Sequence, residues 1–136
     1  FLFDTNIFLE ILLDQPGRED CVTALGRADA DHKGWLTAFS LHAIEHIIFN
    51  RTGRHELVAT FLAVVMAYPY LDTYATTVAE ELEVARLAPR VGLDFDDCLQ
   101  YYAARKLDAQ LVTLDRHFAR CRDLTVLHPR QLATHH

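Results

Sequence analysis

Cysteine is scarce and poorly placed for cross-linking: Cys21, Cys98 and Cys121 are odd in number, far apart in the chain and include no Cys-x-x-Cys pair. Neither a disulfide framework nor a thiolate metal cage is signalled, so reduced, structural thiols are expected. Proline and glycine are also few, four and five residues. They fall at segment ends, as at Pro16-Gly17, Gly53, Pro69, Pro89, Gly92 and Pro129, and build no linker. Repeats and low-complexity tracts are absent. No apolar run approaches the roughly 18 to 20 residues of a membrane span. Asp4 interrupts the apolar start Phe1-Leu2-Phe3, which argues against a signal-peptide core. These absences leave one compact cytosolic domain over residues 1–136 as the expectation, with no membrane association. His135-His136 look like the remnant of a tag.

Positive charge is in deficit as well. Thirteen Lys and Arg face nineteen Asp and Glu, a formal net charge of −6, which disfavours passive capture of a polyanion by the whole surface. The deficit is uneven: residues 1–104 hold seven basic and sixteen acidic side chains, residues 105–136 six and three. The C-terminal stretch is therefore locally basic. Carboxylates gathered in one cleft would need a divalent cation, which would turn an anion-repelling pocket into one that binds phosphate.

What is plentiful is apolar material, 51% of residues against 24% charged, ample for a buried core. Short apolar runs at Phe1–Phe3, Trp35–Thr37, Tyr70–Tyr74, Leu111–Leu114 and Leu124–Leu127 alternate with longer stretches of helical spacing. The first and the last two lack polar alternation, as strands of a parallel sheet covered on both faces do. The pattern predicts an α/β fold, a three-layer α/β/α sandwich around a central parallel sheet. In such sheets reactive groups collect beyond the carboxyl ends of the strands.

Asp4-Thr5-Asn6 follows the first run and leads into an apolar helix over Ile7–Leu13, and Asp115 follows the fourth. Either acid can serve as a helix cap, and their recurrence after two strands suggests more. Ser40 is a plausible cap for a helix over Leu41–Arg51, where Glu45 falls within the arc of Leu41, Ile44, Ile47, Ile48 and Phe49. A carboxylate there must reach water, pair with a cation or hold a metal. His42, Glu45 and His46 also fit the inverted zincin pattern His-x-x-Glu-His, so a zinc metallopeptidase is an alternative, although no third ligand is marked and both His are expected to face solvent. Asp94-Phe95-Asp96-Asp97 opens a helix running to Asp108. Asp94 can cap it and first-turn acids favour its dipole, with Asp97 turned inward and Asp96 to water.

The order Asp4-Thr5-Asn6, mid-helix Glu45, Asp96 through Ala104 (Asp-Asp-Cys-Leu-Gln-Tyr-Tyr-Ala-Ala), then Leu111 through Phe118 (Leu-Val-Thr-Leu-Asp-Arg-His-Phe) resembles the PIN-domain ribonucleases, especially the VapC-like toxins of prokaryotic toxin–antitoxin pairs. The resemblance covers nearly the whole chain. It implies strand order 3-2-1-4-5 and an endoribonuclease dependent on Mg²⁺ or Mn²⁺ that leaves 5′-phosphate and 3′-hydroxyl ends. It also implies frequent homodimerisation and inhibition by a small antitoxin. The family's four acids fall on Asp4, Glu45, Asp97 and Asp115, and its accompanying polar residues on Thr5, Asn6 and Thr113. Many relatives carry a further acid two places after the fourth, where this chain has His117.

Several readings follow from that frame. Arg116, Arg120 and Arg122 form a candidate strip for RNA phosphates, and unpaired RNA suits a narrow carboxylate cleft. The apolar helix over Leu57–Met66 serves core packing or an interface with a second copy or an antitoxin. A catalytically degenerate PIN fold acting as an RNA- or protein-binding module is the other alternative, and retention of all four acids argues against it.

Overall fold

The computed structural model describes residues 1–133, so the tag-like His135-His136 pair lies outside the described residues. Five strands form one sheet: β1 (Leu2–Phe3), β2 (Gly34–Thr37), β3 (Leu71–Tyr74), β4 (Leu111–Val112) and β5 (Val126–Leu127). Their order is β3-β2-β1-β4-β5 and every pairing is parallel. Parallel neighbours need crossover helices. Helices α1 (Thr5–Leu12) and α2 (Arg18–Leu25) link β1 to β2, α3 (Ala38–Thr52) and α4 (His55–Ala67) link β2 to β3, and α5 (Val78–Val91) and α6 (Phe95–Lys106) link β3 to β4. A 3-10 helix at Arg116–Arg120 precedes β5, and α7 (Pro129–Ala133) follows it.

Successive strand residues point to opposite faces, and both faces are apolar. Phe3, Leu36 and Val112 enter a cluster with Ile7, Phe8 and Ile44 from α1 and α3. Leu2 and Leu111 enter the other cluster, with Val84, Cys98 and Leu99 from α5 and α6, and half-buried Trp35 packs against it. The result is the expected α/β/α sandwich. The central strands read as unbroken apolar runs because each is covered on both sides.

The strands are shorter than the apolar runs suggest. Leu114 donates its N–H to Asn6 Oδ1 and Leu124 donates its N–H to the Cys121 carbonyl, so both residues leave the ladder for turns. The cap of α3 also differs from expectation. Thr37, the last residue of β2, accepts from Ser40 N at 3.0 Å, so the helix begins at Ala38 and Ser40 lies fully buried inside its first turn. Asp94 caps α6 as expected, accepting from Asp97 N at 2.8 Å. Helix α4 packs Phe61 edge-on against Phe8 while Val64 and Met66 remain exposed, so the apolar stretch at 57–66 is partly core and partly surface.

All three cysteines are free and buried. Burial pushes the thiols of Cys21 and Cys98 up to about 11, which leaves them unreactive near neutral pH.

Candidate active site

Strand order changes direction between β1 and β4. Chains leaving these two strands turn to opposite faces of the sheet and leave a crevice beyond their carboxyl ends. Asp4 is the first residue past β1, and Thr113, Leu114 and Asp115 follow β4. Both segments therefore lie at this edge of the sheet.

Asp4 is only 7% exposed, and a buried carboxylate needs donors. It has three. Oδ1 accepts from Thr5 N at 2.8 Å and from Gln100 Nε2 at 2.9 Å, and Oδ2 accepts from Thr113 Oγ1 at 2.8 Å. The network spreads from there without a gap. Gln100 also donates to Ser40 Oγ at 2.8 Å and accepts from Thr37 Oγ1 at 2.8 Å, and the hydroxyls of Ser40 and Thr5 are 2.8 Å apart. Thr113 Oγ1 accepts from Asn6 Nδ2 at 3.2 Å and from Asp115 N at 3.0 Å. Among the described residues no buried side-chain polar atom lacks a partner. A network in which every buried polar atom has a partner fixes the rotamers of its members, and with them the Asp4 carboxylate, whose Oδ2 accepts a single hydrogen bond.

Asp97 and Asp115 reach the same edge from two further elements. Asp97, in the first turn of α6, keeps a side chain 21% exposed, while Asp96 beside it is exposed. Burial pushes the Asp97 carboxyl above the usual range, and the charges of Asp94, Asp115 and Asp4 push it further, opposed by a hydrogen bond from His117. Three carboxylates from separate parts of the chain thus act electrostatically on Asp97. Asp115 caps the 3-10 helix by accepting from His117 N at 2.8 Å. His117 Nδ1 stands 3.5 Å from Asp97 Oδ2 and 3.2 Å from Asp115 Oδ1. Among the described residues Asp97, Asp115 and His117 are the one group of three metal-competent side chains, with donor atoms all within 4.8 Å of one another. The donor set fits a divalent cation: carboxylate oxygens and an imidazole nitrogen, at an edge where unbalanced negative charge already destabilises an ionised aspartate.

A PIN domain family model matches residues 1–124. The chain belongs to the PIN domain family. No curated protein matches it. Its PIN fold is shared with solved structures of low sequence identity. A toxin–antitoxin complex from Klebsiella pneumoniae superposes with TM-score 0.72 at 17% identity, covering 94% of this chain and 96% of that one. VapC20 of Mycobacterium tuberculosis, described as a sarcin-ricin loop cleaving toxin, gives 0.74 at 13% identity over 89% and 94%. VapBC2 from Rickettsia felis, bound to a DNA fragment from its promoter, gives 0.72 at 17% over 93% and 96%.

Within this PIN fold two of the four sequence-derived acids, Asp4 and Glu45, lie outside the group of Asp97, Asp115 and His117. Asp4 is tied to that edge through Thr113, which donates to its Oδ2 and accepts from Asp115 N, whereas Glu45 lies on α3 with its side chain 25% exposed and its Oε1 3.3 Å from His42 Nδ1. His42 and His46 face solvent, and His46 contacts Asn50 at 3.0 Å. Glu45 and these two histidines form no metal-competent group among the described residues, which removes the geometric basis of the zinc-peptidase reading. Arg116, Arg120 and Arg122 are all exposed. Arg120 is committed elsewhere, donating from Nη1 to the Gly92 carbonyl at 2.8 Å. Glycine suits position 92 because its φ of 72° is left-handed, a conformation strained for residues with a Cβ.

Three members of the network, Gln100, Ser40 and Thr37, have no site role in the sequence reading, which gives Ser40 only a cap and Thr37 only the end of a strand. No signal in the sequence marks Gln100: its burial, shared with Cys98, Leu99 and Tyr101, emerges only in the fold.

Proposed function

We propose that this PIN domain is a metal-dependent endoribonuclease, the toxin of a toxin–antitoxin pair. What supports the reading is that Asp97 of α6 and Asp115 after β4 bring donor atoms within 4.8 Å of one another and of His117, while Asp4 is tied through Thr113 to the segment that carries Asp115. Asp4 and Asp97 would hold one Mg²⁺ or Mn²⁺ directly. Asp115 would ligate it or reach it through water, and Glu45 would act through water from α3. Such an ion supplies positive charge at the scissile phosphate and a more acidic water for in-line attack.

The chain's own residues do the positioning. Thr113, Thr5 and Gln100 fix the Asp4 carboxylate by hydrogen bonds, and Asn6 ties α1 to the segment after β4. Arg116 and Arg122 stand exposed on the stretch after the fourth acid as phosphate contacts, with Arg120 a weaker third because of its bond to Gly92. Unpaired RNA fits an edge that presents one phosphate at a time, and a cytosolic location follows from such a substrate.

A second copy and a small antitoxin are the protein partners this reading implies. Exposed Leu12 and Val64 border an apolar hollow of about 220 Å³ between α1 and α4, a surface one of them could cover.

The test is cleavage of single-stranded RNA by the whole chain. Activity should vanish with EDTA and return with Mn²⁺, and Asp4→Asn should lose roughly a hundredfold or more. RNA binding without cleavage under Mn²⁺ would instead indicate a binding module on a degenerate PIN fold.

A further inference from the structure

We infer that His117 is a nitrogen ligand of the cation held at this edge, and that it shifts the site's preference from Mg²⁺ towards later first-row ions such as Mn²⁺ and Co²⁺. The inference rests on the metal-site reading above and deepens it. The placement of this imidazole beside two acids can be read directly.

His117 Nδ1 is 3.2 Å from Asp115 Oδ1 and 3.5 Å from Asp97 Oδ2. Two donors that each bind one ion at about 2.1 Å lie about 3.0 Å apart at right angles and about 3.4 Å apart at the tetrahedral angle. The observed spacings match donors that share an ion. The ring is also aimed by the main chain, since His117 N donates to Asp115 Oδ1 at 2.8 Å and so holds the side chain beside both acids. With Nδ1 turned to the carboxylates, the ring remains 70% exposed, so Nε2 can carry its proton in water at no desolvation cost.

Charge separates this arrangement from a plain ion pair. A protonated imidazole would bring one positive charge against the two carboxylates beside it, Asp97 and Asp115. A divalent cation with a neutral imidazole brings two and gives the nitrogen lone pair a partner. The choice of ion follows from donor chemistry. Mg²⁺ binds oxygen almost exclusively, whereas imidazole suits transition ions increasingly along the first-row series.

The experiment is calorimetric titration of the whole chain with Mg²⁺, Mn²⁺ and Co²⁺, for the native sequence, His117→Asp and His117→Ala, with pulsed electron paramagnetic resonance of the Mn²⁺-loaded proteins. His117 is exposed, so both variants are expected to fold. The native protein should show hyperfine coupling to a directly bound nitrogen that His117→Ala lacks. The ratio of Co²⁺ to Mg²⁺ affinity should fall about tenfold or more in His117→Asp. If Mn²⁺ binds and Asp97→Asn abolishes that binding, but no nitrogen coupling appears and the affinity ratio is unchanged, then carboxylates alone hold the ion. The inference would fall and the nuclease reading would stand. If no divalent ion binds the native chain, both fall.

Discussion

At the scale of single residues, Asp4 and Asp97 occupy opposite electrostatic situations. Asp4 is buried among donors, and the least replaceable is Thr113, which gives one hydrogen bond and takes two. Thr113→Val keeps the shape and strands all three partners. It should destabilise the fold by about 1 to 3 kcal/mol in urea titration and weaken Mn²⁺ binding by about 10- to 100-fold. Asp97, by contrast, is partly desolvated by burial and faces other carboxylates, which together raise its carboxyl. An aspartate whose folded-state value is raised holds its proton more tightly folded than unfolded. The folded chain therefore loses stability as pH climbs from the ordinary value of about 3.9 through the raised one, and carries the full penalty above it. Accordingly, Asp97→Asn should raise the melting temperature of the metal-free protein at neutral pH by a few degrees. Mn²⁺ should then stabilise the native chain and leave the variant nearly unmoved. A variant that melts lower than the native chain without metal would contradict the repulsion argued for this edge. Asp4, Asp97 and Asp115 stood out in the sequence because each sits just past a strand or in a helix's first turn, and Glu45 because it falls within an apolar arc. Gln100 did not, because a buried glutamine looks like a surface residue until its partners, Asp4 and Ser40, are brought to it across the fold.

At the scale of elements, the junctions matter more than the segments. Thr37 ends β2, caps α3 through Ser40 N and donates to Gln100 on α6, so one hydroxyl joins strand, helix and site. Thr37→Ala should cost about 1 to 2 kcal/mol from the lost cap alone, and Thr37→Ser should restore most of it, both read by urea unfolding. Two cap-competent residues stand three apart at Thr37 and Ser40, and Ala38-Phe39 between them looks like more strand. Only the burial of Ser40 against Gln100 shows that the helix starts earlier. The strand pattern was visible because sandwiched strands are apolar on both faces. Their ends were not, because Leu114 and Leu124 are apolar yet spend their N–H groups on turns.

At the scale of the molecule, the order β3-β2-β1-β4-β5 sends α1 to α4 to one face and α5 and α6 to the other. The reversal between β1 and β4 leaves an opening where segments more than a hundred residues apart are stitched by Asn6 and Thr113. The alternation of apolar runs and helical stretches was enough to predict the sandwich, whereas strand order came only with the family resemblance, since periodicity carries no information on which strands are neighbours. The net charge of −6 and its concentration before residue 105 make sense if part of that charge is matched by a bound cation. The central claim is that the crevice holds such an ion. Its most direct test is the anomalous difference map of a crystal grown with Mn²⁺. The account predicts a peak within bonding distance of the Asp4 and Asp97 carboxylates, beside Asp115. A map without a peak there at saturating Mn²⁺, or with Mn²⁺ held only elsewhere on the surface, would contradict it.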